Sequence, residues 1–407
     1  MHYIFFILAK FNSIFKFKTN KQKLITSSLV ISSFPCYNTC RVYYEFHKKL
    51  LFVKVINILS PKHHKKTIGG GLMYDVVTFG EAMIRLEPNG QYERLERANL
   101  LKTTLGGAEI NVSAALANIG KLSTAIVTKL PANPLGRWIE HNLSSFKVGT
   151  DLIVHGGLRV GTYYSEQGSR PRTTSVVYDR KHSSFAESTI DDYALDYANQ
   201  AKVFHTTGIT LALSDTTRQA AIEMIKSFHS NGTLVSFDVN YRANLWGEEE
   251  ARKCIEEILP YVDILFISEE TCRRMFARTG SLEDILRDFA TTYDIQLIAS
   301  TKRKVINQSQ HQFSSLVYDM RNDVFHYSEA PYNIEVVDRI GSGDAYIAGV
   351  LYGLLRYHFD PKLAQEYGDA FSAMKCTIPG DFLIATESEI TSIIEKHKKG
   401  INEDVNR

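Results

Sequence analysis

Val337-Asp338-Arg339-Ile340-Gly341-Ser342-Gly343-Asp344-Ala345-Tyr346-Ile347-Ala348-Gly349 sets two glycines around a serine, then an aspartate, at what reads as the first turn of a helix. The residues that follow, to Leu355, are small and apolar, with Gly349 and Gly353 as the only breakers. The first N–H groups of such a helix have no internal partners. With the positive end of the helix dipole they form a site for phosphate oxygens. Gly341 and Gly343 let the backbone turn sharply and come close to the ligand, and Asp344 would sit beside the phosphate, placed to accept a proton from an attacking hydroxyl. A second reading stands beside this one: Gly-Ser-Gly-Asp is also a common loop-to-helix junction, with Ser342 or Asp344 as an ordinary cap.

The wider composition narrows the choice. The chain has 407 residues, 44% hydrophobic and 23% charged, as in a soluble globular protein. Its net charge of +2 hides a division. Residues 1–72 carry twelve Lys or Arg against Glu45 alone, and the remaining 335 residues carry 35 basic and 44 acidic groups. The larger part is mildly acidic, which argues against a general nucleic-acid binder. Five scattered cysteines, at 36, 40, 254, 272 and 376, suggest reduced thiols and a cytoplasmic protein rather than a disulfide framework. Cys36 and Cys40 with His47, His63 and His64 match none of the usual zinc spacings. No run reaches the roughly 18 apolar residues that span a membrane. Tyr3–Ala9 is apolar but short and lacks a basic flank, so it fits a secretory signal badly.

Residues 1–72 are rich in Lys, Phe, Ile, Asn, Tyr and Ser and show no sustained period. They end in Gly69-Gly70-Gly71-Leu72-Met73, directly before a clean strand. Consecutive glycine codons can contain the purine-rich sequence of a bacterial ribosome-binding site. The expectation is that translation starts at Met73 and that residues 1–72 are upstream DNA read in frame; the alternative is a genuine disordered extension. Residues 401–407 read as a short tail.

From Met73 onward, apolar runs alternate with helical patterns. Asp75–Phe79, Thr124–Thr128, Val203–Thr207, Leu234–Val239, Ile264–Ile267, Leu297–Ser300 and Ser315–Tyr318 read as buried strands. Glu109–Ile119, Asp215–Phe228, Glu249–Leu259 and Leu282–Thr291 read as amphipathic helices between them. The rhythm predicts an α/β fold with a mostly parallel sheet covered on both faces and ligands at the strands' carboxyl ends. Ile84–Leu101 and Leu158–Phe185 lack helical periodicity and are expected to pair as a small antiparallel lid that keeps water from the reaction.

Taken together, these residues resemble the ribokinase-like (PfkB) carbohydrate kinases over about residues 74–400. The resemblance rests on the strand ending in Gly80-Glu81, on Gly106-Gly107-Ala108 with Asn111 and Ala114, and on Gly341-Ser342-Gly343-Asp344, in the family's order. Three further stretches are most similar to the branch that phosphorylates 2-keto-3-deoxygluconate: Phe237-Asp238-Val239-Asn240-Tyr241-Arg242 through Leu245-Trp246, Val177-Tyr178-Asp179-Arg180, and Thr377-Ile378-Pro379-Gly380-Asp381-Phe382. The resemblance implies a three-layer α/β/α kinase domain over 73–400 with a small β lid, using ATP and Mg2+. It implies that Asp344 is the base, with the backbone of Gly341, Ser342 and Gly343 as the anion hole, that Gly106, Gly107 and Asn111 line the sugar pocket, and that Tyr163, Tyr178, Arg180 and Arg242 hold the substrate. Arginine forks suit the carboxylate of an acid sugar. A homodimer through the lid is expected by analogy.

Three positions depart from the family pattern. Arg339 stands where a threonine is usual. A metal-associated Asn-x-x-Glu becomes Ser268-Glu269-Glu270-Thr271, so the metal ligands stay unassigned. The glycine-rich nucleotide loop becomes Thr301-Lys302-Arg303-Lys304, with Ser300 and Lys302 taken as nucleotide contacts together with Gly341 and Gly343. The expected reaction is transfer of phosphate from ATP to the 6-hydroxyl of 2-keto-3-deoxygluconate, with Asp344 ionised as a weak base. A kinase for a neutral sugar or nucleoside, or an inactive sugar sensor, are the competing readings.

Overall fold

The computed structural model describes residues 41–46, 49–54 and 74–401. The chain divides into two compact units, residues 1–70 and 71–407. In the first, Arg41–Phe46 and Lys49–Lys54 pair as antiparallel strands, with Phe46 opposite Lys49. The cysteines and histidines weighed for zinc, the Met73 start and residues 402–407 lie outside the described residues.

The second unit begins with β1 (Tyr74–Phe79), β2 (Met83–Pro88), β3 (Leu101–Gly106) and α1 (Ala108–Asn118). β4 (Thr124–Leu130), α2 (Pro134–Ser145), β5 (Ile153–His155), β6 (Thr162–Glu166) and β7 (Ser175–Asp179) follow. Next come β8 (Ala201–Thr207), α3 (Gly208–Ala212), α4 (Asp215–Ser230), β9 (Leu234–Asp238), α5 (Glu248–Ile258), β10 (Ile264–Phe266), α6 (Glu269–Arg274) and α7 (Leu282–Tyr293). The unit closes with β11 (Leu297–Val305), β12 (Gln310–Asp319), β13 (Val324–Tyr327), β14 (Tyr332–Glu335), α8 (Ser342–Arg356), α9 (Pro361–Cys376) and α10 (Glu387–Lys399).

The central sheet runs β13-β12-β11-β10-β9-β8-β1-β4-β5, with β14 on β12. From β11 to β5 every ladder is parallel. Those strands are apolar because helices cover both faces. Phe79, Phe204, Phe237, Phe228 and Phe289 pack in the core on one side, and Val76, Leu116, Tyr346, Leu351 and Phe371 on the other. The three layers follow from that arrangement. Among the described residues no helix is long and apolar enough to cross a membrane.

Two expectations need correction. The strands read at 297–300 and 315–318 are the inner ends of a long antiparallel hairpin whose register joins Leu297 to Asp319 and Val305 to His311. Its outer half, Thr301–Val305, is exposed and polar, so it has no apolar signature to read. The lid is a four-stranded sheet ordered β3-β2-β6-β7. Its outer ladders are antiparallel as expected, but the middle pair, β2 and β6, runs parallel. Both strands enter the lid from the core in the same sense, one after β1 and one after β5. The lid also reaches further than residue 101, since β3 ends on Gly106.

Helix starts follow local chemistry. Asn133 caps α2 ahead of Pro134, Ser214 caps α4, Ser281 caps α7, and Thr386 with Glu389 forms a capping box on α10. α1, α5 and α8 instead follow glycines and have no side-chain cap.

Candidate active site

The missing cap removes the reading of Ser342 or Asp344 as an ordinary cap of α8. Gly341 precedes α8 with φ 82°, and neither Ser342 nor Asp344 returns to cap the helix. A side chain at 341 would be strained at that φ and its Cβ would collide with the Asp381 carbonyl. The Ser342 N–H donates to the Arg339 carbonyl (3.1 Å), which removes it from the expected anion hole. No acceptor among the described residues takes the N–H of Gly343 or Asp344. The Gly341 N–H likewise has no acceptor among the described residues, so the donors left for an anion are those of Gly341, Gly343 and Asp344.

The Asp344 carboxylate turns away from its helix. Asn111 Nδ2 donates to its Oδ2 at 2.6 Å, which leaves Oδ1 open. Its pKa is pushed up to about 7, chiefly by burial, opposed by the Asn111 bond and reinforced by the negative charges of Asp238, Asp381 and Glu109. This corrects the expectation of an ionised weak base: burial, helped by the neighbouring carboxylates, outweighs the helix dipole. Asp238, at the end of β9, is likewise raised to about 7 by burial, against the pull of Arg242. Buried Glu109 on α1 is raised too, although the Thr207 and Thr210 hydroxyls donate to it at 2.7 and 2.8 Å.

A cavity of ≈ 370 Å³ opens at the carboxyl ends of β9, β10 and β11. Asp238, Arg242, Glu270, Thr301, Gly343 and Tyr346 are among its walls. It thus joins the start of α8 to Arg242, whose Nη1 donates to the Tyr241 carbonyl (3.3 Å) and to no other group among the described residues. Ser300 and Lys302 do not line it. Side chains alternate along a strand, so Ala299 and Thr301 face the cavity while Ser300 and Lys302 face away. Asp238, Ser268, Glu270 and Thr271 supply oxygen donors, which suit a hard divalent ion carried in by a nucleotide. Among the described residues no three His, Cys, Asp or Glu stand together as a metal site.

The other sequence-predicted residues gather outside this cavity, on the lid side of Asp344. Tyr163 OH donates to Asp381 Oδ1 at 2.5 Å, and a Cβ on Gly106 would collide with both groups. Glycine at 106 is therefore required by this tyrosine–aspartate contact. Gly107 is the N-cap of α1, which carries Asn111. Tyr178 is half exposed and its ring stands 5.7 Å from that of Tyr163. Arg180, 9% exposed, is committed through Nε (2.7 Å) and Nη2 (2.5 Å) to buried Glu81. A carboxylate taken out of water needs such a partner, so Arg180 is not the free clamp expected of it.

Sequence reasoning missed a charged core beneath these residues. Arg85 on lid strand β2, 3% exposed, binds Asp381 Oδ1, Asp338 Oδ2 and Glu87, each at 2.7 Å. Asp338 also accepts from the Ile340 N–H (3.0 Å) and the Gly380 N–H (3.1 Å). One arginine thus joins the lid, the loop leading into α8 and the Thr377–Phe382 segment. The readable signal was an arginine inside the apolar run Ala82-Met83-Ile84-Arg85-Leu86.

A family model described as pfkB family carbohydrate kinase matches residues 73–385. Among curated relatives, a 2-dehydro-3-deoxygalactonokinase of Haloferax volcanii is 33% identical over 328 residues, covering 81% of this chain and 99% of the relative. A 5-dehydro-2-deoxygluconokinase of Geobacillus kaustophilus is 25% identical over 338 residues, covering 80% and 95%. Among solved structures, the 2-dehydro-3-deoxygluconokinase of Thermotoga maritima superposes with a TM-score of 0.75 at 36% identity, covering 79% of this chain and 98% of that one.

Proposed function

From the premise that the chain belongs to the PfkB family of carbohydrate kinases, we propose that it transfers the terminal phosphoryl group of ATP to the 6-hydroxyl of 2-keto-3-deoxygluconate. The observation that carries this reading is the uncapped start of α8, with the Gly343 and Asp344 N–H groups free beside a carboxylate that Asn111 holds by one oxygen only.

The nucleotide would lie along the carboxyl ends of β9–β11, its terminal phosphate at the free N–H groups. Asp344 Oδ1 would accept the hydroxyl proton as the oxygen attacks phosphorus and ADP leaves. A pKa near 7 suits that task at neutral pH, and a loose phosphoryl transition state asks mainly for orientation. Mg2+, where bound, would neutralise phosphate charge, with Asp238 and Glu270 as the carboxylates in reach of the cavity. Arg242 would receive the substrate carboxylate, since no carboxylate among the described residues makes a direct ion pair with its guanidinium, Asp238 feeling its charge only at longer range. Tyr163, Tyr178 and Asp381 would border the sugar's other end, with Arg180 fixing Glu81 beneath them. The names of the Thermotoga and Haloferax proteins support a 2-keto-3-deoxy acid, and the second favours the C4 epimer as an additional acceptor. Pairing of two lids is part of the same reading, supported by exposed Leu101, Val177 and Tyr178 on lid strands.

ADP release across 2-keto-3-deoxygluconate, 2-keto-3-deoxygalactonate, fructose, ribose and adenosine tests the reading. The keto-deoxy acids should exceed every neutral acceptor in kcat/KM by at least about 100-fold, the worth of one charge-assisted clamp. A neutral sugar or nucleoside as best acceptor would overturn the acid-sugar assignment, and no release with any acceptor would favour a sensor.

A further inference from the structure

Lys375, in the last turn of α9, is 0% exposed and stands among the largest fully buried side chains of the protein. Among the described residues its ammonium has no carboxylate at hydrogen-bond distance. Instead Nζ donates to two backbone carbonyls, those of Asp338 (3.1 Å) and Ile378 (3.0 Å). An ammonium removed from water is costly, and burial draws its pKa downward, while Asp338 and Asp381 nearby favour the charged form. A methionine of similar length would fill the same space without that cost. What it could not do is hold two carbonyls together.

The two carbonyls belong to the segments that build the site. Asp338 opens the loop into Gly341 and the free N–H groups of α8. Ile378 opens the turn that presents Asp381 to Tyr163 and Arg85. The segments are also joined through the Asp338 carboxylate to the Gly380 N–H, and the Cys376 carbonyl accepts from the N–H groups of Val337 (2.8 Å) and Asp338 (3.1 Å). Gly341 itself packs against the Asp381 carbonyl.

We propose that Lys375 is a positioning residue for phosphoryl transfer: its ammonium pins the Asp338 and Ile378 carbonyls together and so fixes the anion-binding start of α8 relative to Asp381. It touches neither substrate nor phosphate. The inference uses the family's phosphoryl transfer and is indifferent to which sugar is taken. The assay uses the best acceptor of the panel, so a wrong substrate reading changes the acceptor and not the comparison.

Lys375→Met tests it. The variant should fold, with kcat lowered about 100-fold by a misplaced anion site and the KM for ATP changed less than about threefold. In Lys375→Ala, which empties the side chain's space, methylammonium or ethylammonium chloride should restore part of kcat by placing an ammonium between the carbonyls, and tetramethylammonium, too large to enter, should not. Lys375→Gln, which keeps a donor for one carbonyl, should fall between Lys375→Met and wild type. A kcat for Lys375→Met within threefold of wild type would overturn the proposal. So would a loss in Lys375→Ala that no small ammonium ion relieves, since that assigns Lys375 to packing. Failure of all three variants to fold would overturn it as well, by making the ammonium part of the core itself.

Discussion

Asp344 is the residue on which the chemistry turns, and its surroundings give it a testable acidity. Three carboxylates stand near it, and its own pKa is pushed up to about 7. For a base that must be ionised, kcat/KM should rise with pH along an acid limb centred near 7 and level off above it. Asp238 titrates in the same range and its negative charge raises Asp344, so the limb belongs to the coupled pair. Asp238→Asn removes that charge and should move the limb to lower pH; an unmoved limb would remove Asp344 from the profile. Asp344→Asn should lower kcat by roughly 10²–10⁴-fold with little change in either KM. Its stability should change in the opposite direction. A folded pKa raised above the unfolded value of about 3.9 contributes stability that is complete below that value and lost as pH rises through about 7. At pH 8 the wild type therefore carries a disfavoured charge that the amide lacks. Asp344→Asn should melt about 2–4 °C higher at pH 8, with the gain shrinking toward pH 4 in thermal scans.

At the scale of the element, two arginines that look alike in sequence separate. Both follow the end of a strand, Arg180 after β7 and Arg242 after β9. Arg180 is enclosed and paired with Glu81, whereas Arg242 is exposed on a cavity wall. Arg242→Ala should raise the KM for the sugar acid roughly 10- to 100-fold and leave the KM for ATP and the melting temperature nearly unchanged. Arg180→Ala should instead cost about 3–5 kcal/mol of stability in denaturant titrations, because it leaves Glu81 buried without a counter-charge. The reverse pattern would exchange their roles. The contrast also marks how far the sequence could be read. Strand and helix periodicity gave the parallel sheet, since its segments are buried on both faces and advertise it in every residue. Gly341 and Asp344 were legible because an unusual φ and an uncapped helix demand those residue types. Arg85 and Lys375 were not, because Arg85 meets Asp338 and Asp381, and Lys375 meets Asp338, far along the chain. Ser300 and Lys302 were misplaced by a single step of strand alternation, which a buried run of Leu, Ile, Ala and Ser leaves unmarked.

For the whole molecule the question is how much chain the kinase needs. Residues 71–407 form a compact unit with cores on both faces of its sheet. The family model matches from residue 73, and the Haloferax relative is covered over 99% of its length by 81% of this chain. Each site residue, from Glu81 to Asp381, lies within that span. Residues 1–72 carry a surplus of positive charge opposite in sign to the rest, and their described part is one hairpin whose strands pair with each other. A chain beginning at Met73 should therefore keep kcat and both KM values within about twofold and melt within about 2 °C of the full chain, since residues 71–407 form a compact unit with hydrophobic cores of their own. Steady-state kinetics and thermal unfolding of the two forms, made side by side, would check this. A truncated chain that loses turnover while retaining its melting temperature would instead assign residues 1–72 a part in the reaction.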